Sequence, residues 1–333
     1  MAGLRTFVLS LVILVGVGAG LYAALFWPWL RTPATPEPVR DAGWHMLELE
    51  AGLDQTPPGD PADLVKAELA IARQREALEA LVSGVASNTT RGIPTRALPE
   101  EGRIALRSLE AWDRAGAGIG GEVCGASLDA LPLLTAARLL LASAGTNPDA
   151  PEIGRALRLA RALRQTGNLG HITLGFTLAE EATRWMQSRG QKATRTFVEL
   201  APREQEAWPA LVRETICTWR SAARIAHAEG IRGLLAGLPG TAWPPAWVRP
   251  WVTAERELAA LQSWQLDRMD SAREVSEDFN ALQARMRLPP LDQLPHSALV
   301  RGGVRDPDES MERWREVLDR YQAFLKAAPP AKR

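Results

Sequence analysis

An uncharged apolar stretch near the N-terminus constrains this chain more than any other feature. Residues 6–30 carry no charge over 25 positions, and the stretch closes on the letters FWPWL. A helix of that length, at about 1.5 Å per residue, spans more than the roughly 30 Å hydrocarbon core of a bilayer. Trp27 and Trp29 suit the headgroup interface. The sequence therefore predicts a single transmembrane helix, with residues 1–30 as the anchor.

A cleaved signal peptide is the alternative interpretation of this stretch. Signal peptides usually have a shorter apolar region followed by small residues at the cleavage site. No A-x-A site lies near the end of the stretch, and no cysteine is present there for lipid attachment. We therefore expect an uncleaved signal-anchor.

The flanking charges are almost balanced, with Arg5 on one side and Arg31 and Arg40 on the other. Because so few residues precede the apolar stretch, we expect a single-pass protein with a cytoplasmic N-terminus and a large extracytoplasmic domain.

Small residues recur every four positions within the anchor, at Gly16, Gly20 and Ala24. A face of small side chains lets two membrane helices approach closely, which predicts a homodimer. Alternatively, the spacing simply reflects how common glycine and alanine are in such helices.

The composition favours helices and disfavours a nucleic-acid partner. Ala, Leu, Arg and Glu fill long segments, and these residues lose little side-chain freedom in a helix. The formal net charge is zero, with 39 basic and 39 acidic residues, whereas nucleic-acid-binding surfaces need a basic excess. We predict an all-α fold, in which stacked antiparallel helix hairpins form a multi-helix extracytoplasmic domain.

Glycines and prolines divide the chain into segments. Residues 31–43 read as an extended Pro-rich spacer. Residues 44–240 then form a helical domain, and 241–333 form a C-terminal helical region packed on it, as part of the same domain or separately. Apolar periodicity and capping residues predict helices near 60–83, 99–115, 127–145, 151–167, 169–190, 208–226, 252–288 (one helix or two) and 307–327.

The chain has two cysteines, Cys124 and Cys217. If the domain lies outside the cytoplasm, they are candidates for a disulfide; two inert thiols are the alternative. Arg213 and Arg220 lie one helical turn before and after Cys217, an environment that lowers the pKa of a thiol. A catalytic cysteine would also need a base, and the sequence identifies none.

No cofactor or metal is predicted. The glycines of GAGIGG, residues 116–121, follow a predicted helix, whereas a dinucleotide site needs a strand before them. The four histidines, His45, His171, His227 and His296, show no metal-ligand spacing. The sequence therefore predicts no catalytic, cofactor-binding or metal-binding residue.

A row of arginines recurs every three residues on one predicted helix. Its members are Arg155, Arg158, Arg161 and Arg164. The row could form a face for an anionic partner. The alternative is a solvated face paired with Glu180, Glu181 or other carboxylates, which the zero net charge favours.

Three tryptophans alternate with prolines between residues 241 and 251. They are Trp243, Trp247 and Trp251. At four-residue spacing Trp247 and Trp251 could share a helix face, which predicts a packed aromatic corner where two helices diverge. A second membrane contact and a ligand-stacking shelf are the alternatives.

Two functions from different classes follow from these observations. The first is a membrane-tethered, non-enzymatic binding or scaffold module of the cell envelope, with an envelope protein or polymer as partner. The second is a hydrolase of envelope polymers whose carboxylates are assembled only by the fold. The absence of a catalytic motif in the sequence favours the first.

Overall fold

The computed structural model describes residues 2–30, 35–52, 62–86, 92–116, 124, 128–246 and 248–327. These residues form α-helices joined by turns and contain no strand, so the predicted all-α fold is confirmed. The helices are α1 (Ala2–Leu30), α2 (Glu37–Ala51), α3 (Ala62–Arg73), α4 (Arg75–Ala86), α5 (Glu100–Arg114), α6 (Ala130–Ala144), α7 (Pro151–Arg164), α8 (Leu169–Ser188), α9 (Arg195–Glu199), α10 (Ala207–Ala236), α11 (Ala254–Arg273), α12 (Phe279–Met286) and α13 (Asp308–Ala327).

Helix α1 is the apolar segment expected from the sequence. Its residues Ser10–Trp29 are long and apolar enough to cross a membrane, a requirement of length and composition that a signal sequence also meets. Most of its large side chains, from Leu11 to Leu25, are exposed. An exposed apolar surface of this extent is normally covered by a membrane or by another apolar surface.

The chain divides into two compact units. The first comprises Met1–His45, Thr218–Ser271 and Leu288–Asp306. The second comprises Met46–Cys217, Ala272–Arg287 and Pro307–Arg333. Each unit is therefore assembled from three separate stretches of the chain.

Consecutive helices α6, α7 and α8 build the core of the second unit, and α3 packs on α5 and α6. Helix α6 has apolar side chains on nearly every side, so most of the helix is buried instead of one face alone. Gly175 lets α8 approach α7 closely, because a Cβ there would lie 2.5 Å from the carbonyl oxygen of Ala160.

Helix α13 is fastened to α8 within the same unit. The Trp314 ring stacks on Phe176 with centroids 5.1 Å apart, and its Nε1 donates to Thr173 Oγ1 at 3.2 Å. The Tyr321 hydroxyl donates to the carbonyl oxygen of Phe197. All three aromatic side chains of α13, Trp314, Tyr321 and Phe324, are buried, so the C-terminal helix belongs to the core.

In the first unit, buried apolar side chains of α10, α11 and the turn Leu299–Gly303 form one cluster. Glu257 of α11 is buried beside that turn. Its Oε2 accepts hydrogen bonds from Ser297 Oγ at 2.8 Å and from the backbone nitrogen of Leu299 at 3.1 Å. These bonds tie the Pro-rich loop before α13 to α11.

Several predicted segments differ from the structure. Helix α2 begins at Glu37, so the prediction of an extended spacer is wrong for residues 37–43. Pro38 fits the first turn of α2, where its missing N–H is not needed, and Trp44 and Leu47 are buried. A turn at Gln74 separates α3 from α4 within the predicted 60–83 helix. The 252–288 segment, predicted as one helix or two, contains two, because α12 starts anew at its cap, Asp278.

Candidate functional site

The arginine row of α7 is largely occupied by ion pairs within the chain. Arg155 lies 3.3 Å from Glu110 and 3.5 Å from Asp113, and Arg158 pairs with Asp113 at 2.5 Å. These pairs connect α7 with α5. Arg161 alone of the four is exposed.

The fourth arginine does not lie on the anionic-partner face that the row could have formed. Arg164 is buried, with its Nε 2.7 Å from Glu206 and its Nη2 donating to the carbonyl oxygen of Leu200 at 3.2 Å. Its guanidinium lies 5.6 Å from the centre of the Phe176 ring. Because a step of three residues winds around the helix, the end of the row turns into the core. The four arginines therefore do not form one accessible face.

The tryptophan stretch also differs from the predicted corner. Trp243 is half-buried, donates from Nε1 to the carbonyl oxygen of Leu238 at 3.1 Å, and carries Arg249 over its ring at 4.8 Å. Trp251, in contrast, is 58% exposed. Trp247 lies outside the described residues.

Backbone conformation explains why Trp251 is not buried. A shared face needs continuous α-helix, but two short 3₁₀ turns, Gly240–Ala242 and Arg249–Trp251, occupy this stretch. Val248 and Val252 are buried instead.

A disulfide joins Cys124 and Cys217, with sulfur atoms 2.08 Å and Cα atoms 4.8 Å apart. Cys217 is buried at the end of the second unit's part of α10. Gly167 is needed beside it, because a Cβ there would lie 2.2 Å from the sulfur of Cys217. With both sulfurs in the bond, neither acts as a nucleophile. Two of the loop glycines near Cys124, Gly118 and Gly121, lie outside the described residues.

A cleft of about 480 Å³ opens between α4, α6 and α8. It is lined by apolar side chains of all three helices and by six polar ones, namely Ser83, Arg138, Glu181, Arg184, Ser188 and Arg189. Two of the arginines have carboxylate partners at 2.7 Å, Arg138 with Glu181 and Arg184 with Glu180. The lining is cationic overall.

Arg189 differs from the other arginines of the cleft. Within the part of the chain that the structure describes, its polar contact is with Ser188, whose Oγ accepts from Nη1 at 3.2 Å, and no carboxylate pairs with it. Its guanidinium lies 4.3 Å above the Trp185 ring. Burial lowers the pKa of Arg189. A partly dehydrated cation without a counter-charge favours an incoming anion.

Trp185 contributes a further N–H donor to this cleft, beside those of Arg189. The side chain is 9% exposed, and among the described residues neither its Nε1 nor the Nε of Arg189 has a hydrogen-bond partner. Buried donors normally have acceptors, so these two N–H groups are available to a ligand that carries acceptor groups. Trp185 and Arg189 are spaced i, i+4 on the sequence RWMQSR, the signal from which this pair could have been found.

The buried carboxylates of the described residues, Glu180 and Glu257, belong to different units. Glu180 is held by Arg184, Arg313 and Arg320 in the second unit. Glu257 belongs to the first unit; burial raises its pKa, and a hydroxyl and backbone amides bind it. A smaller cleft of about 390 Å³ holds three carboxylates, Glu274, Glu277 and Asp278, which are all exposed. No cluster of three or more metal-binding side chains occurs in the described ranges.

The C-terminal end of α1 belongs to the core of the first unit. Phe26 is 6% exposed and packs with Val248 and Val252, and the partly buried Trp29 and Ile231 lie against them. Trp29 also meets the ring of His296 edge-on at 5.6 Å, and Arg301 lies 5.6 Å from its centre. The apolar helix is therefore continuous with a folded domain.

Comparison of the chain with protein families, with curated proteins and with solved structures finds no match.

Proposed function

We propose that this protein is a membrane-tethered helical binding module of the cell envelope, without enzymatic activity. Helix α1 spans the membrane and its N-terminus is cytoplasmic. The second unit and the part of the first unit that follows α1 lie outside the cytoplasm. Helices α6 to α8 stack as antiparallel hairpins that present the cleft at Trp185 and Arg189 to an envelope protein or polymer.

The packing of Phe26 is the observation that carries this proposal. A signal peptide is removed after export, so a mature domain would not use its last turn as core. Here cleavage after α1 would take Phe26 and Trp29 away from Val248 and Val252. Burying a phenylalanine contributes about 1.5–3 kcal/mol, a contribution that favours an uncleaved anchor.

The disulfide supports the same orientation. Structural disulfides form and persist in oxidising compartments and are rare in the cytosol. Both Cys124 and Cys217 belong to the second unit, so the bond closes a loop within one folded body. An extracytoplasmic second unit with an uncleaved N-terminal span requires a cytoplasmic N-terminus.

We also propose that α1 dimerises through Gly16, Gly20 and Ala24. Ala24 is exposed, and a Cβ at Gly16 or Gly20 would meet no other atom within 4 Å. Open space along these positions is what a second helix requires. Homodimerisation through α1 remains a prediction, which crosslinking in the membrane would test.

Photo-crosslinking in native membranes tests the binding role. A photoactivatable residue at Ser83, inside the cleft, should give a discrete adduct with an envelope component. The same residue at an exposed position on α6, Leu131, should give none. Arg189→Gln should abolish the Ser83 adduct, whereas the matched variant Arg161→Gln, at an exposed arginine, should leave it unchanged. Turnover of a wall polymer without a stable adduct would contradict the proposal and support a hydrolase.

A further inference from the structure

Two exposed tryptophans lie at the point where α1 joins the first unit. Trp27, in the last turn of α1, is 68% exposed, and Trp251, at the end of its 3₁₀ turn, is 58% exposed. Phe26, beside Trp27, and Val252, beside Trp251, are buried in one cluster, so the two rings are directed away from it. Large exposed aromatic surfaces beside one buried cluster indicate an interaction site.

The packing sets the depth of Trp251 along α1. Val248 and Val252, which flank Trp251 in the sequence, both belong to the cluster that contains Phe26. Phe26 lies within about 6 Å of the end of α1 at a rise of roughly 1.5 Å per residue. The headgroup layer on each side of a bilayer is roughly 5 to 7 Å thick. If α1 spans the bilayer, the turn that carries Trp251 is held at the headgroup layer.

The chemistry of this region matches that layer. Tryptophan combines a large apolar ring with one polar N–H and is enriched at both interfaces of a bilayer. Arg249 and Arg301 lie over Trp243 and Trp29, in the same unit. Basic side chains close to the membrane surface are attracted to lipid phosphates. Apolar rings beside guanidinium groups favour lipid over a purely apolar protein surface.

We propose that Trp27 and Trp251 together form a seat on the headgroup layer of the bilayer that α1 crosses. The inference rests on the proposed membrane span. The contact at Trp251 makes the first unit lie against the membrane surface in one orientation, because a contact made by a segment outside α1 prevents free rotation about the axis of α1. A protein partner or a second copy of the chain on this surface is the competing outcome that the experiment below separates.

Site-directed spin labelling of the full chain in phosphatidylcholine–phosphatidylglycerol vesicles tests this seat. Single cysteines replace Trp251, Leu14 and Leu291, with the native disulfide left intact. All three native side chains are exposed, so labels there should not disturb the core. Leu14 reports the middle of α1, and Leu291 is a matched exposed apolar position in the first unit. Collisions with oxygen and with a water-soluble nickel chelate give the depth of each label.

The expected result is graded. The label at 14 should show high oxygen and almost no nickel accessibility, and the label at 251 should show a several-fold loss of nickel accessibility relative to 291. A label at 251 that is as accessible to nickel as the one at 291, while 14 reads as bilayer core, overturns the seat and leaves the anchor intact. If the label at 251 has low accessibility to both oxygen and nickel, protein covers that position, and this result also overturns the seat. An aqueous label at 14 refutes the membrane span itself.

Discussion

Reduction of the Cys124–Cys217 disulfide should destabilise the second unit by an amount that follows from the loop it closes. The cysteines are 93 residues apart. In the chain-entropy treatment, a loop of that size restricts the unfolded chain by about 4.7 kcal/mol, and measured effects are more often about 2–4 kcal/mol. Residual contacts in the unfolded chain reduce the figure further, because part of the loop is then already closed. We therefore expect a loss of about 2–4 kcal/mol.

Urea unfolding of the full chain in detergent, followed by circular dichroism, measures this loss. The oxidised protein is compared with protein reduced and alkylated after unfolding, and with the double variant Cys124→Ser, Cys217→Ser. Reductant should leave the double variant unchanged, which controls for effects of the reagent. The reasoning is refuted if reduction leaves the unfolding midpoint unchanged. It is also refuted if both thiols alkylate in denatured protein that has never been reduced.

Three further perturbations test the packing. Glu180→Gln leaves three arginines around a neutral amide. Because those arginines are partly exposed, we expect the free energy of unfolding in urea to fall by an amount near the lower end of about 3–5 kcal/mol. An unchanged free energy of unfolding would contradict the ion-pair account. Phe26→Ala should destabilise the first unit by about 3–5 kcal/mol in detergent, whereas Leu11→Ala, at an exposed position of α1, should not; equal effects would contradict the packing of the α1 end. Burial raises the pKa of Glu257, so the folded state keeps a proton that the unfolded chain releases, and stability falls as pH rises from the ordinary carboxyl range to that raised pKa. Glu257→Gln should remove this slope in unfolding curves taken across that range, and an unchanged slope would assign it to another group.

Local patterns in the sequence predicted most of the helices because their signals are themselves local. Pro151 at the start of α7 and Gly190, which has a positive φ of 61° after α8, mark helix ends through their own backbone preferences. Long-range packing decided the features that local patterns did not predict. Arg164 was predicted on a surface, but its partner Glu206 lies on a later turn that periodicity cannot place beside it.

The cleft could not be predicted from a single segment. Its lining comes from three helices, and Ser83 is about a hundred residues from Arg189 in the chain. Only the i, i+4 pair of Trp185 and Arg189 was visible in the sequence, and such pairs are common on helix surfaces. Trp251 was misplaced for the related reason that a helix was assumed where the prolines enforce short turns.

The most direct test of the central claim is the intact mass of the protein extracted from its native membrane. The claim is that α1 is retained as a membrane anchor because its C-terminal end is part of the first unit's core. The account predicts a mass that includes residues 1–30, apart from removal of the initiator methionine. A mature chain that starts near the end of α1 would contradict it, because Phe26 would then be absent from the protein whose core it is proposed to complete.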